Sequence, residues 1–146
     1  MRKALLMFAA AVLAAGLLGG CTNQGGASGL SVDGAWARPG LTGGSSAVYF
    51  VINNQGDADT LLSAASDTAG MAELHISKMD ADGTMTMERQ DSVPIPAGEE
   101  VLFEPGGLHV MLMNLTGDLK PDDKINLTLT FKDAGEYEVT ATVREP

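Results

Sequence analysis

Ile125-Asn-Leu127-Thr-Leu129-Thr-Phe131-Lys-Asp133-Ala-Gly135-Glu-Tyr137-Glu-Val139-Thr-Ala141-Thr-Val143 is the stretch from which the fold is read. Apolar and polar residues alternate strictly on both sides of Asp133-Ala-Gly135, the period of a strand with one face on a core and one in water. The segment therefore predicts a β-hairpin. Working back along the chain, shorter runs of similar character predict strands at Val32–Arg38, Ala47–Asn53, Asp59–Ala65, Ala72–Met79, Met85–Ser92, Glu100–Phe103 and Leu108–Leu115. Turn chemistry separates them: Pro39-Gly40, Gln55-Gly56, Asp82-Gly83, Pro96-Ala97-Gly98, Pro105-Gly106-Gly107 and Pro121-Asp122. Only Thr68–Ala72 offers a helical turn. Eight or nine short strands at this spacing predict an all-β domain, a Greek-key sandwich or barrel.

The N-terminus reads differently. Met1-Arg2-Lys3 is basic, and Ala4 to Leu18 is uncharged and apolar, shorter than a membrane span and suited to a secretory signal. It closes on Leu18-Gly19-Gly20-Cys21, which resembles a bacterial lipobox with Cys21, the one cysteine of the chain, as the lipidated residue. The expected organisation is a leader at 1–20, the lipidated Cys21 with a Gly/Ser-rich flexible tether to residue 29, and one domain at 30–146. Such a protein is extracytoplasmic and anchored to a bacterial membrane by lipid. Loss of the leader leaves seven basic against nineteen acidic residues, a charge of −12. A chain this acidic is repelled by phosphate backbones, so no nucleic-acid partner is expected. With Cys21 lipidated there is no thiol left for a disulfide or a thiolate site.

Between Met71 and Met113 lie both histidines, His75 and His109, and every methionine beyond the leader: Met71, Met79, Met85, Met87, Met111 and Met113. Strand alternation puts Leu108, Val110 and Leu112 on one face and His109, Met111 and Met113 on the other. Ala72, Leu74 and Ile76 likewise oppose Met71, Glu73, His75 and Met79. A face that should be polar is thus lined with imidazole and thioether. Segments 72–79 and 85–92 form the arms of a hairpin. A three-residue Ala81–Gly83 loop pairs odd residues with odd and puts His75 and Met87 on one face, whereas a two-residue Asp82-Gly83 turn separates them. Residues 100–103 and 108–112 suggest a second hairpin through Pro105-Gly106-Gly107. Met79, Met85 and Met113 are read as packing residues, Trp36 and Tyr49 as core aromatics, and Glu73, Asp80, Asp82 and Glu88 as a solvated face.

Imidazole and thioether donors without an anion suit Cu(I); Zn²⁺ prefers thiolate, imidazole and carboxylate. Blue-copper electron transfer requires a Cys ligand, which this chain lacks. The chain also resembles the PCuAC family of periplasmic copper chaperones, whose pattern is His, an optional Met, ten residues, Met, twenty-one residues and His-X-Met. Here His75 is followed by Ile76, residues 77–86, Met87, residues 88–108 and His109-Val110-Met111. Ile95-Pro96-Ala97-Gly98 and Pro105-Gly106-Gly107-Leu108-His109 are also similar, and the likeness runs from about Leu30 to Val143. It implies a cupredoxin-like, immunoglobulin-like Greek-key β-sandwich with Cu(I) held by His75, Met87, His109 and Met111. It further implies a metallochaperone, not an enzyme, that passes copper to a membrane acceptor protein in cytochrome c oxidase assembly. Copper sequestration without an acceptor, and a metal-free interaction module, are the alternatives.

Overall fold

The computed structural model describes residues 29–146; the leader, Cys21 and the tether as far as residue 28 lie outside the described residues. Ten strands follow in order: β1 (Leu30–Ala37), β2 (Ser45–Asn54), β3 (Asp59–Ser66), β4 (Ala69–Met79), β5 (Met85–Gln90), β6 (Val93–Ile95), β7 (Glu100–Phe103), β8 (Leu108–Leu115), β9 (Lys124–Phe131) and β10 (Gly135–Val143). The described residues contain no helix, and Thr68–Ala72 is the entry to β4 instead. All ten strands join in the order β5-β4-β8-β7-β2-β1-β10-β9-β3-β6.

The 125–143 alternation becomes β9 and β10, paired from Phe131↔Gly135 to Lys124↔Thr142. Ile125, Leu127, Leu129 and Phe131 are buried, as are Tyr137, Val139, Ala141 and Val143 on the facing strand. Phe131 and Tyr137 meet edge to face at 5.4 Å. These side chains share one core cluster with Val48, Phe50 and Ile52 of β2, Leu74 of β4, and Val110 and Leu112 of β8. One face of the β9–β10 half therefore packs on one face of the β2–β8–β4 half, the arrangement of a sandwich. The first strand closes the structure. β1 runs antiparallel to β2 along its length, bulges between Asp33 and Trp36, and pairs parallel with β10 through Trp36↔Thr142 and Ala37↔Val143.

Two expectations are corrected. The run read as Met85–Ser92 ends at Gln90, and a tenth strand, β6, crosses to the other half to pair with β3 through Asp59↔Ile95. β6 sits at the sheet edge, where Pro94 sacrifices no ladder bond. Nor do 100–103 and 108–112 form a hairpin. β7 and β8 run in the same direction, and each pairs antiparallel with β2: Phe103↔Phe50 to Glu100↔Asn53, then Met113↔Ser45 to Val110↔Val48. Pro105-Gly106-Gly107 is a detour after which the chain rejoins the same line. β2 has ten residues, long enough to take both strands on one edge.

Candidate metal centre

The β4–β5 hairpin carries the three-residue loop. Met79↔Met85, Ser77↔Met87 and His75↔Arg89 are paired, odd with odd, and Gly83 at the loop end has φ +83°. Asp80 N–H donates to Thr84 O at 2.8 Å and Gly83 N–H to Asp80 O at 2.9 Å, closing the turn. On the other flank β4 pairs antiparallel with β8, and His75 stands directly opposite His109. The imidazole centroids are 5.8 Å apart with the planes at 61°. Glu73 opposes Met111 and Met71 opposes Met113 on the same face.

Each imidazole is held at one nitrogen and open at the other. His109 Nδ1–H donates to the Gly107 carbonyl at 3.0 Å, since a carbonyl can only accept. Its Nε2 then carries the lone pair and is buried without a partner. His75 Nε2–H donates to Glu73 Oε2 at 2.9 Å, which leaves Nδ1 with the lone pair, also buried and unpartnered. Buried polar atoms without partners are costly and rare. Here two of them sit on directly paired residues. Burial pushes the His109 imidazole below its ordinary 6.5; the Gly107 carbonyl acts the other way and His75 adds to the lowering. His109 is 2% exposed, so its ring stays neutral and its Nε2 remains a donor.

The thioethers lie around this pair. Met85, Met87, His109 and Met111 line one open hollow of about 530 Å³ together with Tyr49 and Ala47. His75 is outside that lining, its ring 5.8 Å from that of His109. Met71 and Met113 form a cross-strand pair farther along the face. The reading of Met79 and Met85 as packing residues is corrected: they are 69% and 52% exposed, paired with each other at the tip where β4 turns into the edge strand β5.

Three contributors escape the sequence reading. Glu73 is no solvated carboxylate: it orients His75 and approaches Arg89 Nη1 at 3.6 Å. Its position two residues before His75 on one strand face was the available signal. The Gly107 carbonyl fixes the His109 tautomer and also accepts from Ser77 N–H at 3.0 Å. Tyr49 packs its ring 6.3 Å from His109 and 4.7 Å from Trp36, which lies under the Arg144 guanidinium at 4.2 Å. It walls the site, and the reading of Trp36 and Tyr49 as core aromatics is corrected: both lie outside the core cluster, on the opposite face of their strands from Ala37, Val48 and Phe50. Among the described residues no three His, Cys, Asp or Glu side chains cluster to hold a metal, so hard or thiolate-loving cations have no donor set here. Two buried imidazole nitrogens on paired residues, one of them in a hollow lined by Met85, Met87 and Met111, form a soft donor set suited to a soft monovalent cation.

Comparison with known proteins places the family and the fold. Residues 30–143 match the family described as "Putative lipoprotein LpqE-like". The chain is 32% identical over 120 residues to "Putative lipoprotein Lxx21020" of Leifsonia xyli subsp. xyli, covering 82% of this chain and 72% of that one. It is 33% identical over 114 residues to RP573 of Rickettsia prowazekii, 74% of this chain and 62% of that protein's length. Among solved structures it resembles the copper-bound PCuAC domain from PmoF2, with TM-score 0.66, 26% identity, and coverage of 81% and 94%. It also resembles the solution structure of CuI-DR1885 from Deinococcus radiodurans, with TM-score 0.60, 27% identity, and coverage of 84% and 85%. The likeness to PCuAC domains expected from the sequence is thus found in the fold.

Proposed function

The chain belongs to the LpqE-like lipoprotein family, and from that premise we propose that it is an extracytoplasmic Cu(I) metallochaperone. Copper is its cargo, held by His75 Nδ1, His109 Nε2 and the thioethers of Met87 and Met111. The observation that carries the reading is the pair of buried, unpartnered imidazole nitrogens on directly paired strand residues. Metal-ligating histidines are oriented by a hydrogen bond at the second nitrogen, the role Glu73 and Gly107 play here. The copper-bound likeness supports the choice of metal. Neutral donors and an open hollow suit an ion that is handed on, and no nucleophile–base pair is assigned to the site.

The domain division follows the same reading: a leader at 1–20, lipid on Cys21, a tether to residue 29, and the copper domain at 30–146. A lipid anchor at Cys21 would keep the domain near a bacterial membrane, in keeping with the lipoprotein name of the Leifsonia relative. The acceptor we propose is a membrane protein in cytochrome c oxidase assembly.

Anaerobic titration with Cu(I) against a chromophoric competitor tests this. One tightly held ion per chain is expected, weakened about 100-fold or more in His109→Ala and in His75→Ala. A wild-type chain that takes up no Cu(I) refutes the proposal. Deletion of the gene tests delivery: lost oxidase activity restored by added copper is expected, and copper sensitivity alone would point to sequestration.

A further inference from the structure

The central donors leave two methionines at the tip of the β4–β5 hairpin, Met79 and Met85, to explain. Met79 and Met85 are direct cross-strand partners at the hairpin tip, and Met87 lies two residues beyond Met85 on the same face. All three are solvent-exposed. Directly opposed side chains have Cβ atoms about 4.5–5.5 Å apart, and two residues along a strand span about 7 Å. The three flexible thioethers therefore reach a common point, and each side chain is more than half exposed. Charged side chains, Lys above all, and Pro are what an exposed edge strand ordinarily carries.

We propose that Met79, Met85 and Met87 form a second, thioether-only Cu(I) site at the hairpin tip, which loads the His75–His109 centre. This inference rests on the copper reading above. Met87 belongs to both donor sets, and Met85 lines the same hollow as Met87, His109 and Met111. An ion at the tip can pass inward by exchange of ligands. Met79 and then Met85 release it while Met87 stays bound and the imidazole nitrogens enter. No electron is transferred, because copper stays Cu(I) throughout and only its ligands change. Asp80 and Asp82 in the tip loop add negative charge where the ion arrives. The other cross-strand pair, Met71 and Met113, is off the hollow's lining and shares no residue with the central set.

The test uses protein labelled with ¹³C at the methionine methyls and the histidine rings, titrated anaerobically with Cu(I) and in parallel with redox-inert Ag(I). The first equivalent should move the His75 and His109 ring signals and the Met87 and Met111 methyls. The second should move Met79 and Met85. Met79→Leu, a volume-conserving change at a position off the hollow, should weaken the second equivalent about 10-fold or more and leave the first unchanged. Loading of the centre from dilute Cu(I) should slow in the same variant. If Met79 and Met85 methyls stay still through the second equivalent, or if Met79→Leu retains it at full affinity, the tip site is refuted and the central reading stands. If the tip methyls move with the first equivalent while the imidazole signals do not, the central reading fails and the tip site survives. Absence of any shift removes both.

Discussion

The β9–β10 and β4–β5 hairpins are built alike and do opposite things with their outer faces. Both use three-residue connections that bring in a glycine of positive φ, Gly135 at +79° and Gly83 at +83°, and both pair odd residues with odd. Outside β9–β10 stand Asn126, Thr128, Thr130, Glu136, Glu138, Thr140 and Thr142, as water requires. On the corresponding face of β4–β5, continued by β8, stand His75, His109 and six methionines. The backbone rule is shared, so the departure in side chains is a matter of chemistry and not of folding. The contrast predicts that substitutions in the first hairpin move stability and substitutions in the second move metal binding.

The largest expected effect lies in the first hairpin. Phe131→Ala should lower the unfolding free energy by about 3–5 kcal/mol, since the ring is buried against Tyr137, and it should leave Cu(I) affinity of the folded fraction unchanged. Urea denaturation with and without Cu(I) checks both halves of that statement. In the second hairpin, Glu73→Gln keeps an acceptor for His75 Nε2–H but removes the charge, and should weaken Cu(I) about 10-fold while apo stability hardly changes. An equal loss of apo stability would mean that Glu73 serves the fold, and the contrast would break. Gly83→Ala should cost about 1–2 kcal/mol from backbone strain alone, because nothing lies within 4 Å of the added carbon. Gly83→Asn should recover part of it.

A pH effect sharpens the same division. His109 has a folded-state pKa below its unfolded value, so at pH above about 6.5 both states are neutral and the group is silent. As pH falls below that, the unfolded chain takes a proton that the folded chain refuses, and folding is disfavoured until the folded ring protonates too. Apo wild type should thus lose stability relative to His109→Gln on acidification from about pH 7 to 5. Parallel stability curves for the two proteins would contradict this.

Strand alternation was enough to read nine of the ten strands, because core contacts and local period agree along β9, β10, β4 and β8. β6 was missed since three residues with a central proline carry no period. The supposed 100–112 hairpin failed for another reason: Pro105-Gly106-Gly107 has turn chemistry, but pairing was decided by the long free edge of β2, which no local pattern encodes. The loop parity that puts His75 and Met87 on one face depends on Gly83 and was legible as one of two options. The β4–β8 register that brings His75 opposite His109 is a contact across thirty-four positions, invisible without the fold. Glu73 escaped because a carboxylate on a strand face looks solvated until its neighbour is known to be a histidine held nearby.

The carbonyl of Gly107 accepts from both the His109 ring and the Ser77 amide. Its two lone pairs are therefore committed, one to an imidazole and one to the neighbouring strand. The 104–107 excursion and the histidine act as a single latch: lifting the Pro105-Gly106 segment unseats the ring and frees its tautomer at the same stroke. Amide exchange at Ser77 is accordingly a gauge of how often that latch opens in the native protein.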